Sequence, residues 1–196
     1  TGATHFLCVV DDFTRYVWTE FVTKRDEVVE KLDALLRQIE TQNPGKSIRI
    51  IRWDQALEFA SQGIKDKITG PRGLVCEPPG AYAHEQNGKV ERMNRTLQTA
   101  GRTMIIQAGL PEMFWPEAIK MATLIENHSL SQAAREAGIP AIALHSARDS
   151  APSVSHFRPF GCKVTVSVPK EKRTKTLSQP RARIGIFLGF GTMPNT

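Results

Sequence analysis

The run 85–97, EQNGKVERMNRTL, opens a stretch whose apolar positions recur at Val90, Met93, Leu97, Ala100, Met104 and Ala108. Steps of three and four place these side chains on one stripe, which commits the segment to a long helix with one buried face. The other face carries Glu91, Arg95, Gln98 and Arg102. A carboxylate one turn from a guanidinium suits a charged ligand. It equally suits an ordinary i,i+4 pair contributing about 0.2–0.5 kcal/mol, and on this helix alone the ordinary pair is the simpler account.

A second carboxylate changes that balance. Residues 47–53, SIRIIRW, are rich in β-branched side chains and stop at Asp54. The pattern predicts a buried strand with an acid at its C-terminal edge, where open α/β sheets place ligands. An Asp there also serves as a turn or helix-cap residue. Together with Glu91 it supplies part of a carboxylate cluster for hard cations. Two such cations about 3.5–4 Å apart activate an attacking oxygen and steady the leaving one in phosphoryl transfer.

The remaining chain predicts strands over 5–10 and 16–22 joined by a turn at 11–15, then a helix with Val28, Val29, Leu32, Leu35, Leu36 and Ile39 on one side, closed near Asn43 and Gly45. A short helix over 58–68 and a strand over 74–76 precede the Glu91 helix, which ends by Gly109. The next helix opens at 110–115, with Phe114, Ala118, Met121 or Ala122, and Ile125 toward the core; Pro116 is tolerated there because it falls in the first turn. Val164, Val166 and Val168 alternate with polar residues as an edge strand ended by Pro169, and 184–190 forms its partner. Strands first and then strands alternating with helices describe an α/β core.

Charge is localised. From Arg158 to Arg183 there are eight basic residues, among them Lys170, Lys172, Arg173 and Lys175, against the single acid Glu171, a net of +7 in a chain whose total is +6. Everything else is close to neutral, so the segment is the electrostatic footprint of a nucleic-acid partner, with a solubilising loop as the plainer account. The 196 residues suffice for one substantial core with a small appendage. No apolar run reaches membrane-spanning length, and no membrane partner is expected. The isolated Cys8, Cys76 and Cys162 suit small core residues in a reducing compartment. A chain beginning without Met is expected to be a piece of a longer protein, so a missing leader carries no weight.

Five blocks in fixed order carry a resemblance: FLCVVDDFTRYVW at 6–18, IRWD at 51–54 with Glu58 and Phe59, EQNGKVERMNR at 85–95, GLPEMFW at 109–115, and FGC at 160–162 with GIFLGF at 185–190. They resemble the integrase core of copia-type LTR retrotransposons, within the retroviral integrase superfamily, over nearly the whole chain. The resemblance implies an α/β, ribonuclease-H-like core lacking its first strand, followed by the start of a small β-barrel domain. The implied divisions are a catalytic core over 1–128, a connector over 129–157, and the start of the basic barrel over 158–196.

By the same resemblance Asp54 and Glu91 are the second and third of three catalytic carboxylates and hold Mg²⁺ or Mn²⁺. Asp11 and Asp12 do not take the first place, because their block matches the second strand and its turn, and the first Asp belongs to a strand ahead of Thr1. The parent protein is accordingly expected to be a polynucleotidyl transferase that joins element 3′ ends to target DNA, and this segment alone to be inactive. Element-end DNA and target DNA are the implied partners, with Arg95, Gln98 and Lys89 near the acids and Lys170, Lys172, Arg173 and Lys175 as nucleic-acid contacts. A homo-oligomer working in the nucleus, or in a cytoplasmic particle before nuclear entry, completes the expectation, and no organic cofactor site is expected.

Two departures from the family pattern stand beside this, and the altered loop after Asp54, together with a first catalytic Asp expected ahead of Thr1, favours another class of function. The family's Asp-Asn-Gly-Gly-Glu-Phe is DQALEF at 54–59, which removes easy access to positive φ beside Asp54, and a Pro-Tyr-Thr-Pro-like run is replaced by GAYAH at 80–84. The alternative is a catalytically inactive or domesticated nucleic-acid-binding relic. A host ribonuclease-H-like nuclease explains the carboxylates but not the blocks at 114–115 and 185–189.

Overall fold

A computed structural model describes residues 2–53, 64, 68–77, 84–130, 138–173 and 180–191, with only the backbone at 76–77 and 84–87. They form two compact units, one of Thr1–Asp12 with Val17–Thr96 and one of Phe13–Tyr16 with Leu97–Thr196.

In the first unit β1 (His5–Val10) and β2 (Val17–Val22) pair antiparallel, from His5↔Val22 to Val10↔Val17. Thr4 extends the ladder, its N–H donating to Val22 O at 3.0 Å and its hydroxyl to Thr23 O at 2.6 Å. Helix α1 (Glu27–Gln42) follows, with Glu27 and Glu30 in the first turn, where the helix dipole favours negative charge. The Thr23 N–H donates to Glu27 Oε2 at 3.0 Å. At the other end Asn43 Nδ2 donates to Ile39 O at 2.8 Å. Val28, Leu32, Leu35 and Leu36 are buried, as the spacing predicts.

Strands β3 (Ile50–Arg52) and β4 (Val75–Glu77) pair in parallel, Ile50 with Val75 and Arg52 with Glu77. The strand expected over 47–53 is shorter and is not buried on both faces. Ile50 and Val75 are exposed, whereas Ile51 packs into the core, so the strand pair is covered on one side only. Leu32, Leu36, Ile64, Ile68 and Leu74 form that core, with Leu7 and Val9 of β1 and Ile51 and Trp53 against it. Both strand pairs therefore lean on α1, yet each described sheet has two strands. The short helix α2 (Gly70–Arg72) ends at Gly73, whose φ of +62° suits glycine. Most of the helix expected over 58–68 lies outside the described residues.

Helix α3 (His84–Ala108) runs through both units' residue ranges. It ends in a Schellman motif: Gly109 adopts φ +61°, its N–H donates to Ile106 O, and the Leu110 N–H donates to Ile105 O, both at 3.2 Å. In the second unit α4 (Trp115–His128) carries Pro116 in its first turn and buries Ala118, Ile119, Met121, Ala122, Thr123 and Asn127. Ile125 departs from expectation: it is exposed, because the buried arc runs through Ile119, Thr123 and Asn127. Within 129–157 lies a helix α5 (Ala141–His145) with Ala141 and Ala143 buried, and Tyr16 stacks on His145 with ring centroids 4.5 Å apart.

Strands β5 (Lys163–Ser167) and β6 (Ala182–Ile186) make an antiparallel ribbon, from Lys163↔Ile186 to Ser167↔Ala182. The ladder continues past both ends. Val168 N–H donates to Arg181 O at 2.9 Å, Gly161 N–H to Phe187 O at 2.8 Å, and Phe187 N–H to Cys162 O at 2.9 Å. Phe187, Phe190, Phe157, His156 and His128 stack at its base with centroid separations of 5.0–5.6 Å.

Candidate active site

Of the two acids singled out by sequence, Asp54 lies outside the described residues and Glu91 is placed. Glu91 sits on α3 with its side chain exposed, and Val90 and Met93 beside it are half-buried, as the two-faced pattern requires. Arg95 and Gln98 are exposed on the same helix, Arg95 in the first unit and Gln98 in the second. A helix rotates about 100° per residue, so Arg95 follows Glu91 by one turn on the same side.

Lys89 is differently engaged. Its Nζ donates to Asp12 Oδ1 at 2.8 Å, and Arg52 Nη1 lies 3.7 Å from Asp12 Oδ2. Asp12, at the turn after β1, thus faces a cation from the end of β3 and another from the start of α3. No sequence signal announces this cluster, since its members are far apart in the chain and none falls in a common periodicity.

In the basic segment, Lys170 and Lys172 are exposed on a single 3₁₀ turn. Arg173 is half-buried and turned inward, with Nε donating to Val168 O at 2.7 Å and Nη2 to Ser167 Oγ at 3.1 Å. Lys175 lies outside the described residues. Lys163, Arg181 and Arg183 add exposed charge along the ribbon itself. The charge count in the sequence contained them, and strand pairing gathers them.

The carboxylates of Asp54 and Glu91 are hard oxygen donors, the chemistry that Mg²⁺ or Mn²⁺ selects, and the exposure of Glu91 leaves it open to a cation. Among the described residues no three His, Cys, Asp or Glu side chains come together as a metal site. No described helix is long and apolar enough to cross a membrane.

No protein-family model matches the chain. A retrovirus-related Pol polyprotein from transposon TNT 1-94 of Nicotiana tabacum is 29% identical over 193 residues, covering 97% of this chain, while the chain spans 14% of that polyprotein. Among solved structures, a chain of the simian T-cell lymphotropic virus intasome, in complex with a PP2A regulatory subunit, superposes with a TM-score of 0.57 at 19% identity, covering 82% of this chain and 54% of that one. The HTLV-2 integrase catalytic core domain, solved with magnesium in a trimeric form, gives a TM-score of 0.51 at 21% identity, covering 69% of this chain and 80% of that one. The sequence match spans the blocks around Glu91, and the structural matches share the mixed helix-and-sheet core. The chain is thus similar along nearly its whole length to part of a retrotransposon Pol polyprotein, and it is built on the ribonuclease-H-like fold that integrase catalytic cores share.

Proposed function

We propose that this chain is the core part of a copia-type integrase that joins the 3′ ends of element DNA to target DNA, with Asp54 and Glu91 as catalytic, metal-holding carboxylates. The observation that carries the reading is Glu91: an exposed acid on the polar face of α3, in a sequence aligned over 97% of its length with a retrotransposon Pol polyprotein. Magnesium in the HTLV-2 integrase core supports a divalent cation here. When bound, Mg²⁺ or Mn²⁺ would neutralise charge developing on the scissile phosphate and activate the attacking hydroxyl.

The chain's own residues do the rest. Glu91 holds its carboxylate in the solvent-facing arc of a helix whose other face is anchored, which fixes its position. Arg95 and Gln98 offer phosphate-directed donors beyond it, and Lys89 joins them when released from Asp12. Lys170, Lys172 and Lys175 hold the DNA backbone through charge, and Arg173 ties the turn that carries Lys170 and Lys172 to the end of β5. Affinity built this way falls steeply with salt. An oligomer acting in the nucleus follows from the same reading, supported by the trimeric form of one neighbour and the intasome origin of the other.

In the parent integrase, Glu91→Gln is expected to abolish strand transfer while leaving binding of element-end DNA largely intact, measured by strand-transfer assay and by fluorescence anisotropy. Retained strand transfer removes Glu91 from the chemistry. The second reading, a nucleic-acid-binding relic, is favoured by DQALEF at 54–59, and it predicts DNA binding with no strand transfer from the unsubstituted protein.

A further inference from the structure

We infer that His156 and Phe190, at the foot of the β5–β6 ribbon, form a stacking platform for an unpaired nucleobase of a DNA strand, with Arg158 and Lys163 as the cations of that site. The inference rests on the reading above that the partner is DNA, and it asks nothing of Asp54 or Glu91.

Three rings hold Phe190. Its centroid lies 5.1 Å from Phe187, 5.2 Å from His156 and 5.6 Å from Phe157, the first two edge to face, and Phe157 in turn meets His128 at 5.0 Å. Rings so enclosed belong in a core, yet Phe190 is 45% exposed, and His156 and Val154 are exposed with it. A small core accounts for Phe157 and Phe187, which are half-buried; it does not account for the two outer rings. Backbone on both sides fixes where they stand. The turn that carries His156 is closed by Phe157 N–H donating to Val154 O at 2.9 Å. Gly189, immediately ahead of Phe190, takes φ +132°, a conformation that other residues rarely adopt. An open aromatic surface already held in place loses little freedom when a flat ligand lands on it.

Charge identifies the ligand. Arg158 Nη1 donates to Ser155 O at 3.0 Å and to Phe157 O at 2.8 Å, the carbonyls on either side of His156, and the residue stays exposed. A cation is thereby fixed next to the rings. Lys163 is exposed at the start of β5, beside Cys162, whose O accepts from Phe187 N–H at 2.9 Å. From 150 to 196 the only acid is Glu171. An apolar protein segment needs the rings alone, whereas rings amid positive charge match a nucleotide, with its flat π face and anionic phosphate. Within a duplex those faces are covered by neighbouring bases, so the platform selects an unpaired one.

The test measures binding of a short single-stranded oligodeoxynucleotide, and of a blunt duplex of the same length, to the parent integrase by fluorescence anisotropy. Phe190→Leu keeps apolar volume and removes the π face. It is expected to weaken single-strand binding about fivefold, the low end for one base–aromatic stack, and to leave duplex binding unchanged. The salt dependence should also stay the same, because losing a stack releases no counterions. Phe190→Trp should bind the single strand at least as well as the starting protein. In the unsubstituted protein, iododeoxyuridine placed in the strand should photocrosslink to peptides containing His156 or Phe190, which decides the matter even where Phe190→Leu folds poorly. Unchanged single-strand affinity, an equal loss on both DNAs, a Phe190→Trp protein as weak as Phe190→Leu, or crosslinks confined to other peptides each overturn the platform. If the parent protein binds neither DNA, the nucleic-acid reading fails and the platform with it. If it binds both without responding to these variants, the platform alone fails, and the exposed rings belong to a protein contact.

Discussion

Gly161 shows how much can rest on one missing side chain. Its φ is +80°, and a Cβ there would lie 2.3 Å from the Ala108 Cβ and 3.3 Å from the Ala108 Cα, far inside van der Waals contact. Only glycine allows the segment before β5 to lie against the end of α3 while its N–H donates to Phe187 O. Gly161→Ala combines backbone strain with a clash against Ala108, so a loss of about 2 kcal/mol or more is expected in urea unfolding. A stability within experimental error of the starting protein would contradict the packing. The FGC and GIFLGF blocks were legible as a motif, and the structure supplies their reason: Gly161, Cys162 and Phe187 are joined by backbone hydrogen bonds. Cys8 was legible too, since a lone cysteine in an apolar strand suits a core thiol, and burial pushes it up to about 12. The link from Asp12 to Lys89 was not legible, because charged residues many turns apart leave no pattern until the chain is folded.

Among the elements, α1 and α2 are clipped by Arg72. Its guanidinium donates to Asp33 Oδ1 at 3.0 Å and pairs with Glu40, and Arg37 also reaches Asp33, at 2.7 Å. Burial alone pushes the Asp33 carboxyl up, but the hydrogen bonds and charges of Arg72 and Arg37 outweigh it and hold the group below its ordinary value. A carboxyl lowered on folding contributes stability above its unfolded pKa and loses it as pH falls through the folded value, because the unfolded chain then binds more protons. Arg72→Met should therefore cost about 1.5–3 kcal/mol at neutral pH, the range for hydrogen bonds to charged groups, and flatten the fall in stability below about pH 4. Denaturant titrations at several pH values measure both; an unchanged acid slope would exclude the clip. Long elements such as α1, α3 and α4 were readable because an apolar stripe repeats over several turns. The five residues of α5 are too few to show a period, and β3 was overread because β-branched residues continue beyond the paired segment.

At the scale of the whole molecule, the described residues form three two-stranded sheets among helices, and among them the parallel pair and the β1–β2 pair share one helix without joining into one sheet. Two-stranded units are marginal by themselves and depend on what covers them. On the ribbon, Val166, Ile184 and Ile186 are exposed. Expressed as this 196-residue chain, the protein is expected to melt with low cooperativity or to self-associate, which calorimetry and sedimentation velocity would detect. A sharp transition from a clean monomer would contradict this. Fold class was legible from the order of strands and helices, and the structural neighbours carry it. The candidate site was half legible: pattern placed Glu91 on an exposed helical arc, while the spatial relation of the acids depends on loop geometry that periodicity does not encode. The contact between Gly161 and Ala108 has a further consequence for relatives of this chain. Where the protein is still selected to fold, both positions stay small together; in copies drifting without selection, each accumulates bulk independently, so this pair records whether a lineage was still being read as protein.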